Sequence, residues 1–111
     1  MMEIIALHRS DGIILADEIL RSRVAEGAKY LDSGYPGWGG EIDLETFNVS
    51  STSCCVMAQL NGGNYWRIFK NTTIMVDRGF DLHTTECHHE NWQKLQRFWE
   101  EEILERKGVP A

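Results

Sequence analysis

Apolar residues recur at helical spacing along two long stretches of the chain. The first stretch predicts an amphipathic helix over residues 17–33, with a stripe made of Leu20, Val24, Ala28 and Leu31. The second predicts a helix over residues 87–107 with a wider stripe, made of Trp92, Leu95, Phe98, Trp99 and Ile103. Each stripe must be covered by other apolar surface, so we expect both helices to share one core.

Shorter apolar segments predict the remaining elements. Three of them are expected to be short helices, over residues 54–60, 65–70 and 74–78. Residues 41–49 fit neither period and predict a short helical turn or an irregular segment that faces inward. Apolar runs on both sides of Ser10-Asp11-Gly12 predict a small strand pair within residues 3–15. The expected fold is mainly α, with a small α+β arrangement as the alternative, in a single domain over residues 1–111.

The core should combine both stripes with residues from the short segments. A glycine within a helix costs about 1 kcal/mol relative to alanine, so Gly27 predicts the close approach of another backbone. The residues that we expect to be largely buried in one cluster are Val24, Leu31, Trp38, Val56, Leu60, Trp92, Leu95 and Trp99.

A glycine-rich turn follows the first long helix. Asp17 is the predicted N-cap of that helix, and Gly34 and Pro36 are its predicted stop. Trp38 among glycines is typical of an aromatic side chain that plugs the core from a loop. The alternative is an exposed aromatic that stacks on a ligand, which makes Tyr35 and Trp38 candidate binding residues.

The charge limits the classes of partner. The net charge is −6 and no basic stripe is present, so direct binding of nucleic acid is disfavoured. An acidic balance allows a basic protein partner, although ordinary solubility explains it equally well. From its N-terminal pattern we expect no secretory leader, and no apolar run approaches the ~20 residues that span a bilayer. Three cysteines, two of them adjacent, favour the reducing cytoplasm, in which the protein is expected as a monomer or small homo-oligomer.

A serine-rich cap precedes the adjacent cysteines and is the main candidate for chemistry. A thiol in the first helical turn feels the positive end of the helix dipole, which favours the thiolate, and His88 or His89 would be the base. Backbone N–H groups and hydroxyls at the same place could instead hold an anion. The simpler interpretation is that the serines cap the helix and Cys55 fills the core. The candidate binding residues here are Ser51, Ser53, Cys54 and Cys55.

A zinc site is the alternative arrangement of these thiols. It would take Cys54, Cys55, Cys87 and His88, with His83 or His89 as other possible imidazole ligands. The spacing between the cysteines does not match the usual structural zinc motifs. We therefore expect no metal and no cofactor.

Several short motifs occur in order along most of residues 25–107. They are Gly27-Ala28, Leu31-Asp32, Pro36-Gly37-Trp38, Ile42-Asp43-Leu44, Ser50-Ser51, Cys55-Val56, Gln59-Leu60, Gly79-Phe80-Asp81 and Trp99. Together they resemble short uncharacterised proteins of actinobacteria and their phages, and the resemblance implies a small accessory protein in a bacterial cytoplasm. The chain departs from that pattern at Ala58, where glycine is usual, and at Cys54, which directly precedes Cys55.

The functional expectation follows from these observations and the resemblance. No nucleotide-binding, metalloprotease or serine-hydrolase motif is present. We expect a phage-encoded accessory protein, not an enzyme, that binds another protein in the host cytoplasm. The alternative is a small thiol- or zinc-dependent enzyme centred on Cys54 and Cys55, with Cys87 and nearby histidines.

Overall fold

Two long helices and three short ones form the described part of the chain. The computed structural model describes residues 12–51, 53–62 and 72–108, and no strand occurs among them. The fold is mainly α, as the hydrophobic pattern predicts. In chain order the elements are α1 (Asp17–Gly34), α2 (Trp38–Glu41), α3 (Val56–Leu60), α4 (Thr72–Asp77), a 3₁₀ turn (Thr84–Glu86) and α5 (His89–Arg106).

The two long helices pack against each other through the predicted stripes. On α1 every stripe residue is at most 1% exposed, and on α5 all are buried except Trp92, which is partly buried. Each large aliphatic or aromatic side chain buried in this way contributes about 1.5–3 kcal/mol. Of the predicted core, only Trp92 and Leu60 lie at the edge of the cluster. The buried members are Val24, Leu31, Trp38, Val56, Leu95 and Trp99.

Trp99 lies where α2 and the end of α4 meet α5. Its ring makes an edge contact with Trp38 at 5.9 Å and a stacked contact with Phe80 at 5.2 Å between ring centroids. Its indole N–H donates to the carbonyl of Gly79 at 2.7 Å. Because this buried donor is paired, the indole can be buried without an unsatisfied polar atom.

Gly27 has the role that its position in the helix predicts. A Cβ at Gly27 would overlap the carbonyl oxygen of Arg78 and lie 2.9 Å from the Trp99 ring. Gly79 approaches α1 from the other side, with a φ of +74° and an added Cβ only 3.0 Å from the backbone of Val24. The chain after α4 therefore packs directly on the backbone of α1.

The N-cap of α1 and the first residue of α5 differ from those predicted. Ala16, without a side-chain cap, is the N-cap of α1. Asp17 instead pairs with Lys94 of α5 at 3.0 Å, so the carboxylate links the two helices rather than capping one. The α5 helix begins at His89 and not at Cys87, because His88 caps it: His88 Nδ1 accepts from the N–H of Glu90 at 3.1 Å. His88 is buried.

Two predicted elements fall wholly or largely on residues outside the described ranges. These are the helix over 65–70 and residues 3–11 of the strand pair. The described remainder of that pair, residues 12–15, forms no strand. A fully buried amide holds this segment to α5: Asn91 donates to the carbonyl of Ile13 at 2.6 Å and accepts from the N–H of Leu15 at 2.9 Å. Within the described residues, no helix is long and apolar enough to cross a membrane.

Candidate functional site

Trp38 is a core plug, which is the preferred interpretation of the sequence. Gly37 has a φ of +80°, a conformation that suits glycine, and it turns the chain so that α2 begins at Trp38. The side chain is 1% exposed, and its indole N–H donates to Asp32 of α1 at 2.9 Å. A ligand therefore has almost no access to this ring.

An ion pair closes the surface above Trp38. The guanidinium of Arg106 donates to both carboxylate oxygens of Asp32, at 3.0 and 2.9 Å, and lies 5.2 Å from the centre of the Trp38 ring. The hydrogen bond from Arg106, followed by that from Trp38, lowers the pKa of Asp32 from 3.8 to about 2. The same carboxylate raises the pKa of Arg106. The last turns of α1 and α5 are thus joined at this point.

Tyr35 is the second aromatic candidate of the turn. It is half-buried and its ring lies 6.2 Å from the ring of Tyr30. Arg78 covers the other ring of this pair, with its guanidinium 4.1 Å from the centre of Tyr30. Tyr35 therefore belongs to a small surface cluster with Tyr30 and Arg78. The buried Trp38 is not part of that cluster.

The backbone N–H groups of the serine-rich segment are hydrogen-bonded within the segment itself. The hydroxyl of Ser51 accepts from the N–H groups of Ser53 at 3.1 Å and Cys54 at 3.0 Å, and its carbonyl accepts from the N–H of Cys55 at 3.2 Å. These are the donors that an anion would need. The turn ends where α3 begins, at Val56, so the serines shape a turn before the helix rather than a ligand cradle.

The adjacent cysteines have different surroundings. Cys55 is buried, and burial raises the pKa of its thiol, which disfavours the nucleophilic thiolate. Cys54 is half-buried, and its sulfur lies 3.7 Å from the hydroxyl oxygen of Ser53. No disulfide joins the cysteines. Among the described residues, no cluster of three potential ligand atoms includes a cysteine, so Cys54 and Cys55 do not meet Cys87 and His88 as the zinc alternative requires.

A different group of potential metal ligands lies at the start of α5. One ligand atom each from His88, His89 and Glu90 lies within 4.8 Å of the others, and the two imidazole rings stack at 4.5 Å. However, the Nδ1 lone pair of His88 already accepts the N–H of Glu90. A neutral imidazole has only one such lone pair, so a metal ion would compete with the cap. The positive end of the helix dipole also disfavours a cation here.

An open groove lies beside α5, next to the serine-rich segment. Its volume is about 370 Å³, and it runs between residues 47–50 and the side chains of Trp92, Gln93 and Gln96. The side chains of Phe47 and Val49 are buried beneath it, and Trp92 is half-buried at its edge. The groove is therefore apolar at its base and lined by amides at its rim.

Gln96 holds the far wall of this groove in place. Its side-chain oxygen accepts from the N–H of Val49 at 2.8 Å, and its nitrogen donates to the carbonyl of Phe47 at 3.1 Å. One side chain thereby pairs both backbone groups that a neighbouring strand would pair. The same nitrogen donates to Glu100 at 2.9 Å, which places a carboxylate at one end of the groove.

The charged groups are unevenly paired across the described surface. Arg21, Arg23, Lys29, Lys94, Arg97 and Arg106 each form an ion pair, and Arg78 lies over Tyr30. Several exposed or half-buried carboxylates of the described residues form no ion pair with a described cation. They include Glu18, Glu41, Asp43, Glu45, Glu90, Glu100 and Glu105.

Sequence reasoning did not identify the groove, although part of its signal is visible in α5. Gln93 and Gln96 follow Trp92 at short intervals in the sequence of α5. On a helix such residues usually mark a solvated flank. Only the packing of residues 47–50 against that flank turns it into the wall of a groove.

The geometry defines a small helical protein with a groove of amide and aromatic side chains and a surplus of carboxylates. The chain matches no protein-family model, no curated protein and no solved structure.

Proposed function

We propose that this chain is a small accessory protein that acts by binding a basic surface of another protein. The observation that carries the proposal is the unequal pairing of its charges. The described cations, apart from Lys107, are engaged with carboxylates or aromatic rings, whereas many carboxylates have no cationic partner. A surface of this kind attracts cations and repels a phosphate backbone.

Several of the unpaired carboxylates belong to one part of the molecule. Residues 41–47 run beside α5, because Gly39 lies against Arg106 at one end and Phe47 bonds to Gln96 at the other. This segment carries Glu41, Asp43 and Glu45, and α5 carries Glu100 beside it. Such clustering supports electrostatic steering of a basic partner, which raises the association rate.

The resemblance to proteins of actinobacteria and their phages supports a search for the partner in a bacterial cytoplasm. We propose that the chain is phage-encoded and works there without an enzymatic activity of its own. The alternative, a thiol enzyme, has less support, because Cys55 is buried and the pKa of its thiol is raised.

The test is affinity capture from an actinobacterial lysate on the immobilised chain, followed by the same capture with charge variants. Glu45→Gln with Glu100→Gln neutralises the cluster beside α5. Glu18→Gln with Glu90→Gln is the matched control, because it removes the same charge elsewhere. We expect specific capture of a basic protein that weakens with salt and with the first pair of changes. Equal loss with both pairs, or capture that salt does not affect, would contradict the proposal.

A further inference from the structure

We propose that the groove between residues 47–50 and α5 holds one aromatic or large aliphatic side chain of an extended, basic segment of the partner protein. A Lys or Arg of the same segment would lie against Glu100. This inference rests on the proposed function, because it names the part of the surface and the chemistry of the partner segment.

The dimensions of the groove suit one or two side chains. Its volume of about 370 Å³ lies at the low end of the ~300–1,000 Å³ that is typical of ligand sites. Phe47 and Val49 line it with apolar side chains, and the partly buried ring of Trp92 lines its α5 side. An aromatic or aliphatic side chain entering the groove would cover that ring, as anchor residues do in protein interfaces.

The polar atoms of the groove favour an apolar anchor over a sugar or another hydroxyl-rich ligand. The Gln96 amide is occupied by Phe47, Val49 and Glu100. The Asn48 side-chain oxygen already accepts from the N–H and the hydroxyl of Ser50, at 3.1 and 2.9 Å. A hydroxyl-rich ligand would have to compete with these existing hydrogen bonds for the same oxygen and amide groups.

The carboxylate of Glu100, next to Gln96, favours a cationic segment. Glu100 accepts a hydrogen bond from Gln96, but no described cation lies within ion-pair distance of it. Lys94 and Arg97, the two cations that precede Glu100 on α5, both pair with Asp17. A Lys or Arg from the partner therefore meets a carboxylate without a competing cation, and the Trp92 ring adds a favourable cation–π surface.

The test uses short random peptides displayed on phage, selected on the complete chain and then measured individually. Gln93→Arg places a bulky cation at the groove from an exposed position, and Ser22→Arg adds the same residue to the exposed face of α1. Thermal melting of both variants checks that each is folded. Gln93 is chosen over Trp92 because Trp92 also packs on the core.

We expect the selected peptides to carry an aromatic or large aliphatic residue close to a Lys or Arg. Their affinity should fall at least about tenfold with Gln93→Arg and stay within about twofold with Ser22→Arg. Glu100→Gln should weaken binding less and reduce its dependence on salt. Peptides that bind Gln93→Arg and Ser22→Arg equally, or that lack basic residues, would overturn the inference. If a basic protein is still captured through the carboxylates beside α5, the proposed function stands and only the groove assignment fails.

Discussion

At the scale of single residues, Trp38 shows how a flexible turn can supply a rigid part of the core. Its ring is enclosed by Trp99 and Arg106, and its N–H is paired with Asp32. The glycines around it provide the backbone angles, and the indole provides the buried area. Sequence alone predicts the plug, but not the Asp32–Arg106 pair, whose members are far apart in the chain.

Replacing Trp38 tests this role directly. Trp38→Ala should lower the free energy of unfolding by about 3–5 kcal/mol, because it removes a buried indole and leaves a cavity. Trp38→Phe should fall between wild type and Trp38→Ala, since it keeps a ring but loses the bond to Asp32. Thermal melting is the measurement, and an unchanged melting temperature for Trp38→Ala would show that the ring is not a plug.

Asp32 should make the protein sensitive to acid. Its pKa is lower in the folded chain than the ordinary 3.8, so its contribution to stability is complete above pH 3.8 and is lost as the pH falls through about 2. Asp32→Asn should therefore be less stable than wild type at neutral pH. The difference in free energy of unfolding should become smaller as the pH falls from 3.8 to about 2. Urea midpoints across a pH series measure it. Glu45→Gln, at an exposed carboxylate without a described ion pair, is the control. If the stability difference between Asp32→Asn and wild type stayed constant with pH, the lowered pKa of Asp32 would be contradicted.

At the scale of elements, two glycines of α1 serve different purposes. Gly27 lies in the middle of the helix against Arg78 and Trp99, whereas nothing lies within 4 Å of a Cβ added at Gly34. The helix thus tolerates a residue of low helix propensity where another backbone must approach. The spacing of the apolar stripe predicts this contact at Gly27, because the glycine lies on the edge of the buried face.

Alanine at the two positions should have opposite effects. Gly27→Ala should destabilise the protein by about 1–3 kcal/mol or more, since the added methyl overlaps a backbone oxygen. Gly34→Ala should stabilise it by up to about 1 kcal/mol through higher helix propensity. Urea unfolding of both variants gives the comparison. A Gly27→Ala protein as stable as Gly34→Ala would mean that the segment after α4 does not pack on α1 as described.

Helix ends are less predictable than helix faces, for a physical reason visible at α1 and α5. A cap depends on one local hydrogen bond, which a distant partner can replace. Asp17 pairs with Lys94 instead of capping α1, and His88 caps α5 because its buried ring meets the N–H of Glu90. The stripes, in contrast, reflect many buried contacts and are predicted correctly from spacing.

At the scale of the whole molecule, the described helices share one cluster of buried residues. Trp99 contacts residues of α2 and of the segment after α4, and α1 packs along α5. Removing one central side chain should therefore destabilise all the described helices together, and not only the helix that carries the side chain. The groove is a property of this scale alone, because it exists only where residues 47–50 lie on α5.

Unfolding should accordingly be a single cooperative transition. Urea curves followed by tryptophan fluorescence and by far-ultraviolet circular dichroism should coincide. Leu95→Ala should shift both curves together by about 2–5 kcal/mol, because Leu95 is fully buried between the long helices. Curves that separate, or a loss below about 1 kcal/mol, would show that the helices do not share one core.

The Gln96 amide covers backbone that would otherwise be open to another chain. The N–H of Val49 and the carbonyl of Phe47 point the same way, and one side chain pairs both. Without that amide, two neighbouring backbone groups would be left unpaired, as at the edge of a sheet, where identical chains can add to one another. We therefore expect a shorter or apolar residue at position 96 to loosen the loop, to favour aggregation and to lower solubility at high concentration.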